Sequence, residues 1–443
     1  MSSTTYVPPL AGGSRAHVST SAAIKSRGIA PAVTANDSAW SILYAAMIQG
    51  LGVSPQNFQL VYPMTSWNWP TNNLGFTSAA QYDFCATIPQ WSAVGSYVSS
   101  GATFDSAYLQ FLNTIALSTT DPTLQLKILA AQNNLTQDSQ NYQSLYLQAQ
   151  TTYAGSVSNN TPTFTEWLGT PAGMSYNIQL QSSLQTMTQS QGVLNALTQQ
   201  QTTPNIANAL AAFANPAYQT KLSDPSLASN PPVPAWSLKQ SSQQWVTQVQ
   251  GGGGNPGSIT FSNSSAQYNY SNTWAQGSAS VGGWFWSVSA SASWQQIQEF
   301  YTDSSLSCTV SFKAWDSIDI TPSKWYSGTT AFKNGPFSNG YTANAPAVLA
   351  YMFGQGGIVP CFKTNMLVCY QPSISIECSQ STYQSFYSQW SAATGIQVGP
   401  FQFGGSGGGT TFNWSKSGSG MKLTVDSTSI VPLIFGVNVM ILP

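Results

Sequence analysis

Any chemistry in this chain has to be assembled from very few ionisable side chains. Histidine occurs once, at His17, so a serine or cysteine nucleophile activated by imidazole would have to use that residue as its base. His17 lies in an unpatterned Ser-, Thr-, Ala- and Pro-rich stretch, with no acid or nucleophile at a useful spacing. Asp316 and Asp319 come nearest to a paired-carboxylate or metal-ligand motif, but an odd spacing on a strand sends them to opposite faces. The cysteines Cys85, Cys308, Cys361, Cys369 and Cys378 are odd in number and lack CxxC spacing. They read as buried free thiols rather than as a disulfide framework or a zinc site. Gly251–Gly254 and Gly404–Gly409 contain neither GxxxxGK[ST] nor GxGxxG between a strand and a helix, so they are loops and not phosphate cradles. Two acids distant in sequence can meet as a glycosidase pair, yet only 13 acids are spread over 443 residues. The expectation is a non-catalytic chain with no cofactor and no metal.

Composition points the same way. Charged residues make up 6% of the chain, whereas about 25% is typical of soluble domains. Aromatics stand at 12%, the reverse of a disordered composition, so the chain is expected to be globular. With 12 basic and 13 acidic residues there is no cluster denser than Arg15, Lys25 and Arg27, which argues against nucleic acid and against anionic-membrane recruitment by a polybasic patch. Few surface charges also mean little repulsion between copies, and self-association into a homo-oligomer is expected. The first residues lack the apolar core of a secretory signal, and the longest apolar candidate, Ile430–Leu442, is interrupted by Pro432, Gly436 and Asn438. The reading is a chain with no transmembrane helix, cytoplasmic as synthesised and released by a non-classical route.

The spacing of apolar residues predicts an α+β chain. Residues 1–35 read as an extended arm. Residues 36–235 read as a helical domain, beginning with a helix capped by Asn36 or Asp37 and ended by Gly50, with short helices over 78–87 and 104–116. Its clearest feature is a rod from Asp121-Pro122 to about Tyr153, whose stripe of Leu124, Ile128, Ala131, Leu135, Tyr142, Tyr146 and Ala149 calls for a partner. Tyr176, Leu180, Leu184, Met187, Leu194 and Leu197 supply one, giving two long antiparallel helices before a break at Thr203-Pro204. The Pro- and Gly-rich stretch 236–257 reads as a connector. Beyond it the period switches to two, and 258–443 reads as an antiparallel, sandwich-like β-rich domain with strands over 305–320, 364–378, 410–416, 421–427 and 430–442 and one helix at about 380–394.

Within that half, 271–294 carries no charge at all and centres on Gly282-Gly283, a two-residue hairpin turn. Placing Val281 opposite Trp284 pairs Ala279 with Trp286, Gly277 with Val288 and Ala275 with Ala290 on one face. The other face pairs Ser278 with Ser287 and Gln276 with Ser289, and Trp274 and Trp294 lie near the ends. Each arm of about 11 residues matches the length a tilted strand needs to cross hydrocarbon. The pattern resembles, in general form, the insertion hairpins of β-pore-forming toxins, without any family motif. The same alternation also suits an edge hairpin of a sandwich. The membrane residues on the first reading are Ala275, Ala279, Val281, Gly282, Gly283, Trp284, Trp286, Val288, Ala290 and Trp294.

Three functions follow as expectations. The first is a membrane-interacting protein of pore-forming character, with a lipid membrane as partner. The second is a self-assembling structural protein of a filament, shell or lattice. The third is a lectin-like carbohydrate binder that uses exposed Trp and Tyr.

Overall fold

The computed structural model describes residues 35–69, 76–89, 96–97, 99–115, 122–156, 167–198, 204–223, 232–267, 286–288, 291–292, 302–329, 337, 352–353, 357–359, 361–390, 395–404, 410–418 and 420–442. In chain order the helices are α1 (Ala35–Leu51), α2 (Ala79–Ala86), α3 (Phe104–Thr114), α4 (Pro122–Ser156), α5 (Met174–Thr198), α6 (Pro204–Ala214), α7 (Ser242–Gln250) and α8 (Gln380–Trp390). The first nine strands are β1 (Phe58–Ser66), β2 (Phe76–Ser78), β3 (Thr87–Pro89), β4 (Ser96–Tyr97), β5 (Ser99–Thr103), β6 (Gln219–Ser223), β7 (Pro232–Pro234), β8 (Trp236–Leu238) and β9 (Asn255–Ser262). The rest are β10 (Trp286–Val288), β11 (Ser291–Ala292), β12 (Ser307–Pro322), β13 (Cys361–Cys378), β14 (Gly395–Val398), β15 (Phe401–Gly404), β16 (Thr410–Ser417), β17 (Gly420–Ser427) and β18 (Leu433–Ile441). Helices combined with mostly antiparallel strands make this an α+β chain.

The organising element is β13, 18 residues long, which pairs with the 16-residue β12 along one edge. Its other edge is shared: residues Cys361–Cys369 pair with β18, and Ser373–Cys378 pair with β17. The change of partner falls at Gln371-Pro372. Gln371 has φ 44°, the left-handed region that non-glycine residues rarely occupy, and Pro372 has no N–H to give a ladder. Side chains alternate across this strand into two cores. Met366, Val368 and Tyr370 join a cluster with Trp67, Phe104, Tyr108, Trp245 and Trp325. Leu367, Cys369 and Ile374 join another with Trp40, Tyr44, Phe58, Val310, Phe401 and Phe435. A fully buried side chain of this size contributes roughly 1.5–3 kcal/mol, while an exposed ion pair contributes about 0–1. Packing on both faces of the sheet therefore carries a stability that 6% charged residues cannot supply.

Both cores draw on both halves of the chain, which departs from the expected division. β1, in the half expected to be helical, pairs antiparallel with β18, and Pro63 falls where the register shifts between Leu60 and Thr65. The expected connector is built into the fold. β8 pairs with the end of β12, and α7 is held by a capping box between Ser241 and Gln244 and buries Trp245. The Ala235 carbonyl accepts hydrogen bonds from the Trp325 indole at 2.7 Å and from the Ser323 N–H at 2.9 Å. At the first helix, Gly52 with φ 65° ends the turn in place of Gly50. Gly50 serves packing instead: a Cβ there would lie 3.3 Å from the Ser258 carbonyl of β9.

α4 and α5 run antiparallel. The Ser190 hydroxyl donates to Asp138 at 2.6 Å, and Thr152 and Tyr176 hydroxyls meet at 2.9 Å. Apolar contact concentrates at two places along the pair, Ile128, Ala131 and Leu135 with Leu194 toward the body, and Tyr146 and Ala149 with Trp167 and Leu180 at the far end.

Candidate functional site

Of the residues expected to form a membrane hairpin, Trp286 and Val288 lie among the described residues, in β10. Ala275, Ala279, Val281, Gly282, Gly283, Trp284, Ala290 and Trp294 lie outside them. The described pairing corrects the expected register. Ser287 has Ala292 on one side and Gln397 on the other, and Val288 has Ser291 and Ile396. A strand has two edges, so neither residue retains one for its expected partner, Ser278 or Gly277. The described residues of the arm 284–294 form two short antiparallel strands, β10 and β11. The physical reason is edge pairing: a free two-stranded ribbon is marginal in water, whereas β10 gains a ladder with β14. The resulting sheet has the order β11-β10-β14-β15, and Ile396 and Val398 of β14 and Phe401 and Phe403 of β15 are buried in the second core.

The ends of this excursion are tied together. β9 ends at Ser262, directly opposite Ser307 at the start of β12, so the chain leaves the large sheet and rejoins it on neighbouring strands. One residue beyond β9, the Asn263 amide donates to the Asp303 carbonyl at 3.2 Å. The Asp303 carboxylate accepts from the Ser305 N–H at 2.9 Å, the Ser305 hydroxyl at 2.6 Å and the Ser379 N–H at 2.9 Å. Burial alone would raise its pKa; donation by Ser305, Thr382 and Ser379 outweighs that and holds the carboxyl well below its ordinary range. Segment 263–303, which contains the uncharged stretch, is therefore fastened at its base, where Asn263 and Asp303 meet.

No protein-family model, no curated protein and no solved structure matches this chain.

The remaining ionisable groups are structural in setting. All five cysteines are buried and free, and burial pushes the Cys85 and Cys361 thiols up to about 12. Among the described residues no three His, Cys, Asp or Glu side chains gather as a metal would require, and His17 lies outside them. Asp316 and Asp319 stand apart on β12, the former capping the Ser317 N–H at 2.7 Å. Two buried ionisable groups were not expected. Lys363 on β13 donates to the Thr87 carbonyl and lies 5.2 Å from the Phe84 ring centre, and its burial lowers its pKa to about 7 despite the opposing influence of Cys85 and Cys361. Asp105 accepts from the Tyr82 hydroxyl at 2.6 Å, and burial raises its pKa. A lone lysine inside the run Cys361–Tyr370 was the available signal for the first; a central strand buried on both faces leaves such a side chain no route to water. An open cleft of about 480 Å³ between α4 and α5 is lined mostly by amides and hydroxyls around the carboxylate of Asp138, which accepts from the Ser190 hydroxyl. Among the described residues no helix is long and apolar enough to cross a membrane.

Proposed function

We propose that this is a non-catalytic, membrane-interacting protein of pore-forming character, which oligomerises and inserts the uncharged segment 271–294 as β-strands. The observation that carries the reading is the fastened segment. The chain leaves and rejoins the sheet at the paired residues Ser262 and Ser307, and the excursion contains 271–294, a charge-free stretch of alternating small apolar and Ser or Gln residues. Its described part is held by short edge strands rather than by a long central ladder. Releasing β10 from β14 costs few backbone hydrogen bonds, and continuing β9 and β12 outward would recover them in a ribbon whose base already exists. Pairing the ribbon's outer edges requires further copies, because an open edge is not tolerated in hydrocarbon. In this reading the C-terminal β-rich half carries the insertion and the helical N-terminal half, with its long pair α4 and α5, supports it.

The reading is tested by dye release from liposomes with a lysine on either face of the segment. Ala279→Lys places a charge on the lipid side, at roughly 2–4 kcal/mol near the midplane, and Ser278→Lys places it toward a wet lumen. Release should be abolished by the first and retained by the second, with both melting temperatures unchanged in the absence of lipid. Equal release by the two variants, or none by the parent, contradicts it.

A further inference from the structure

Helix α8 and the edge strand β16 bring three aromatic rings together at the surface. Tyr383 and Tyr387 lie one helical turn apart, with ring centres 5.4 Å from each other, and Trp414 of β16 lies 4.8 Å from the first and 5.9 Å from the second. Tyr383 and Trp414 are half-buried and pack against the second core, while Tyr387 is 45% exposed, so the cluster has one side on the core and the other open to solvent. α8 contains no charged residue. The β16–β17 ladder is unbroken from Thr410 to Ser417, so Lys416, two residues beyond Trp414, stands on the same face of the strand and is exposed. The ion pair between Lys422 and Glu377, at 3.1 Å, belongs to the opposite face, since Lys422 is the partner of Ser415. The patch thus combines an aromatic surface, one cation about 7 Å further along the strand, and no carboxylate among the residues that form it.

We propose that this patch binds the phosphocholine headgroup of a lipid, with the quaternary ammonium over the rings of Tyr383, Tyr387 and Trp414 and the phosphate on the ammonium of Lys416. A quaternary ammonium has no N–H to donate and is held by the electron-rich faces of aromatic rings. A phosphate takes a charge-assisted hydrogen bond from lysine. A primary ammonium would instead call for a carboxylate, and an anionic headgroup for several cations; the patch has neither. Tyr and Trp also suit the headgroup level of a bilayer, where one end of the side chain is apolar and the other wet. The choice of a lipid over free phosphocholine rests on the membrane reading above, and the two are separable.

Calorimetric titration with soluble phosphocholine and flotation with phosphatidylcholine or phosphatidylglycerol vesicles test the site. The folded parent should bind phosphocholine saturably and float with phosphatidylcholine alone. Tyr387→Ala and Lys416→Gln should each weaken binding by about tenfold, and Tyr387→Phe, which keeps the ring, should stay within about twofold of the parent. The absence of phosphocholine binding by the parent overturns the site, as does undiminished binding by Tyr387→Ala. Phosphocholine binding that Tyr387→Ala weakens, in a parent that never releases dye from any vesicle, supports the site and removes the insertion reading. Dye release from phosphatidylcholine vesicles that is unaltered in Tyr387→Ala, in a parent that binds no phosphocholine, overturns the site and leaves insertion standing.

Discussion

Lys363 sits fully buried on β13, its Nζ donating to the Thr87 carbonyl with the thiols of Cys85 and Cys361 nearby. Its pKa of about 7 lies below the roughly 10.4 of an unfolded lysine, so between those values the unfolded chain binds a proton that the folded chain does not. Stability contributed by this residue is lowest below pH 7 and rises as the pH climbs. The buried thiols have the opposite sign. Their folded pKa values lie above the roughly 8.5 of an unfolded cysteine, so stability falls once the pH passes that value. So few ionisable groups would suggest a flat profile between about pH 5 and 8, but Lys363 limits the flat part to the acid side. Lys363 alone would add about 1.5 kcal/mol from pH 7 to about 8.5, but deprotonation of the unfolded thiols offsets most of this near pH 8.5. Urea midpoints should therefore rise slightly to a maximum within that interval and then decline. Lys363→Met should remove the rise and keep the decline. A parent that is flat over that interval, or a Lys363→Met protein that keeps the rise, would contradict the assignment.

At the scale of elements, the joint between β1 and β18 is sensitive to side-chain size. Gly436 faces the ring of Phe58, where a Cβ would come within 2.5 Å of a ring carbon and 3.2 Å of Leu367. Gly436→Ala must displace a fully buried phenylalanine and should cost about 1–3 kcal/mol in denaturant unfolding; a variant as stable as the parent would show that this joint repacks freely. The same joint shows what a sequence hides. β12, β13, β16 and β17 were legible because one residue in two is apolar over long runs, and α4 because Pro122 opens an apolar stripe. β1 was not legible: Pro63 interrupts its alternation, Gln59 is polar yet fully buried, and its partner lies at the other end of the chain. α7 was masked by the Pro and Gly on either side, although Ser241 and Gln244 spelled out its cap. In the candidate site the absence of charge over 271–294 was plain, but the register was not, since it is set by β14, a strand remote in sequence. The aromatic patch depends likewise on β16 meeting α8 across the fold.

Across the whole molecule, the described residues form a large sheet with apolar cores on both faces, and segment 263–303 is fastened to it at its base by Asn263 and Asp303. Such a body can release the segment without losing either core, because the strands that bound it, β9 and β12, remain paired through Thr309, Val310 and Ser311. A surface with so little charge presents little electrostatic barrier to the approach of further copies. The central claim is therefore that docking of β10 on β14 holds the segment back from the membrane. Ser287 and Gln397 are directly opposed across that pairing, at a separation that suits a cross-strand disulfide, and the five native thiols are buried. Dye release from phosphatidylcholine liposomes by the Ser287→Cys, Gln397→Cys double variant, oxidised and then reduced, tests the claim most directly. The oxidised protein should release dye only at background and regain the parent's release on reduction; release as fast when oxidised as when reduced would contradict the account.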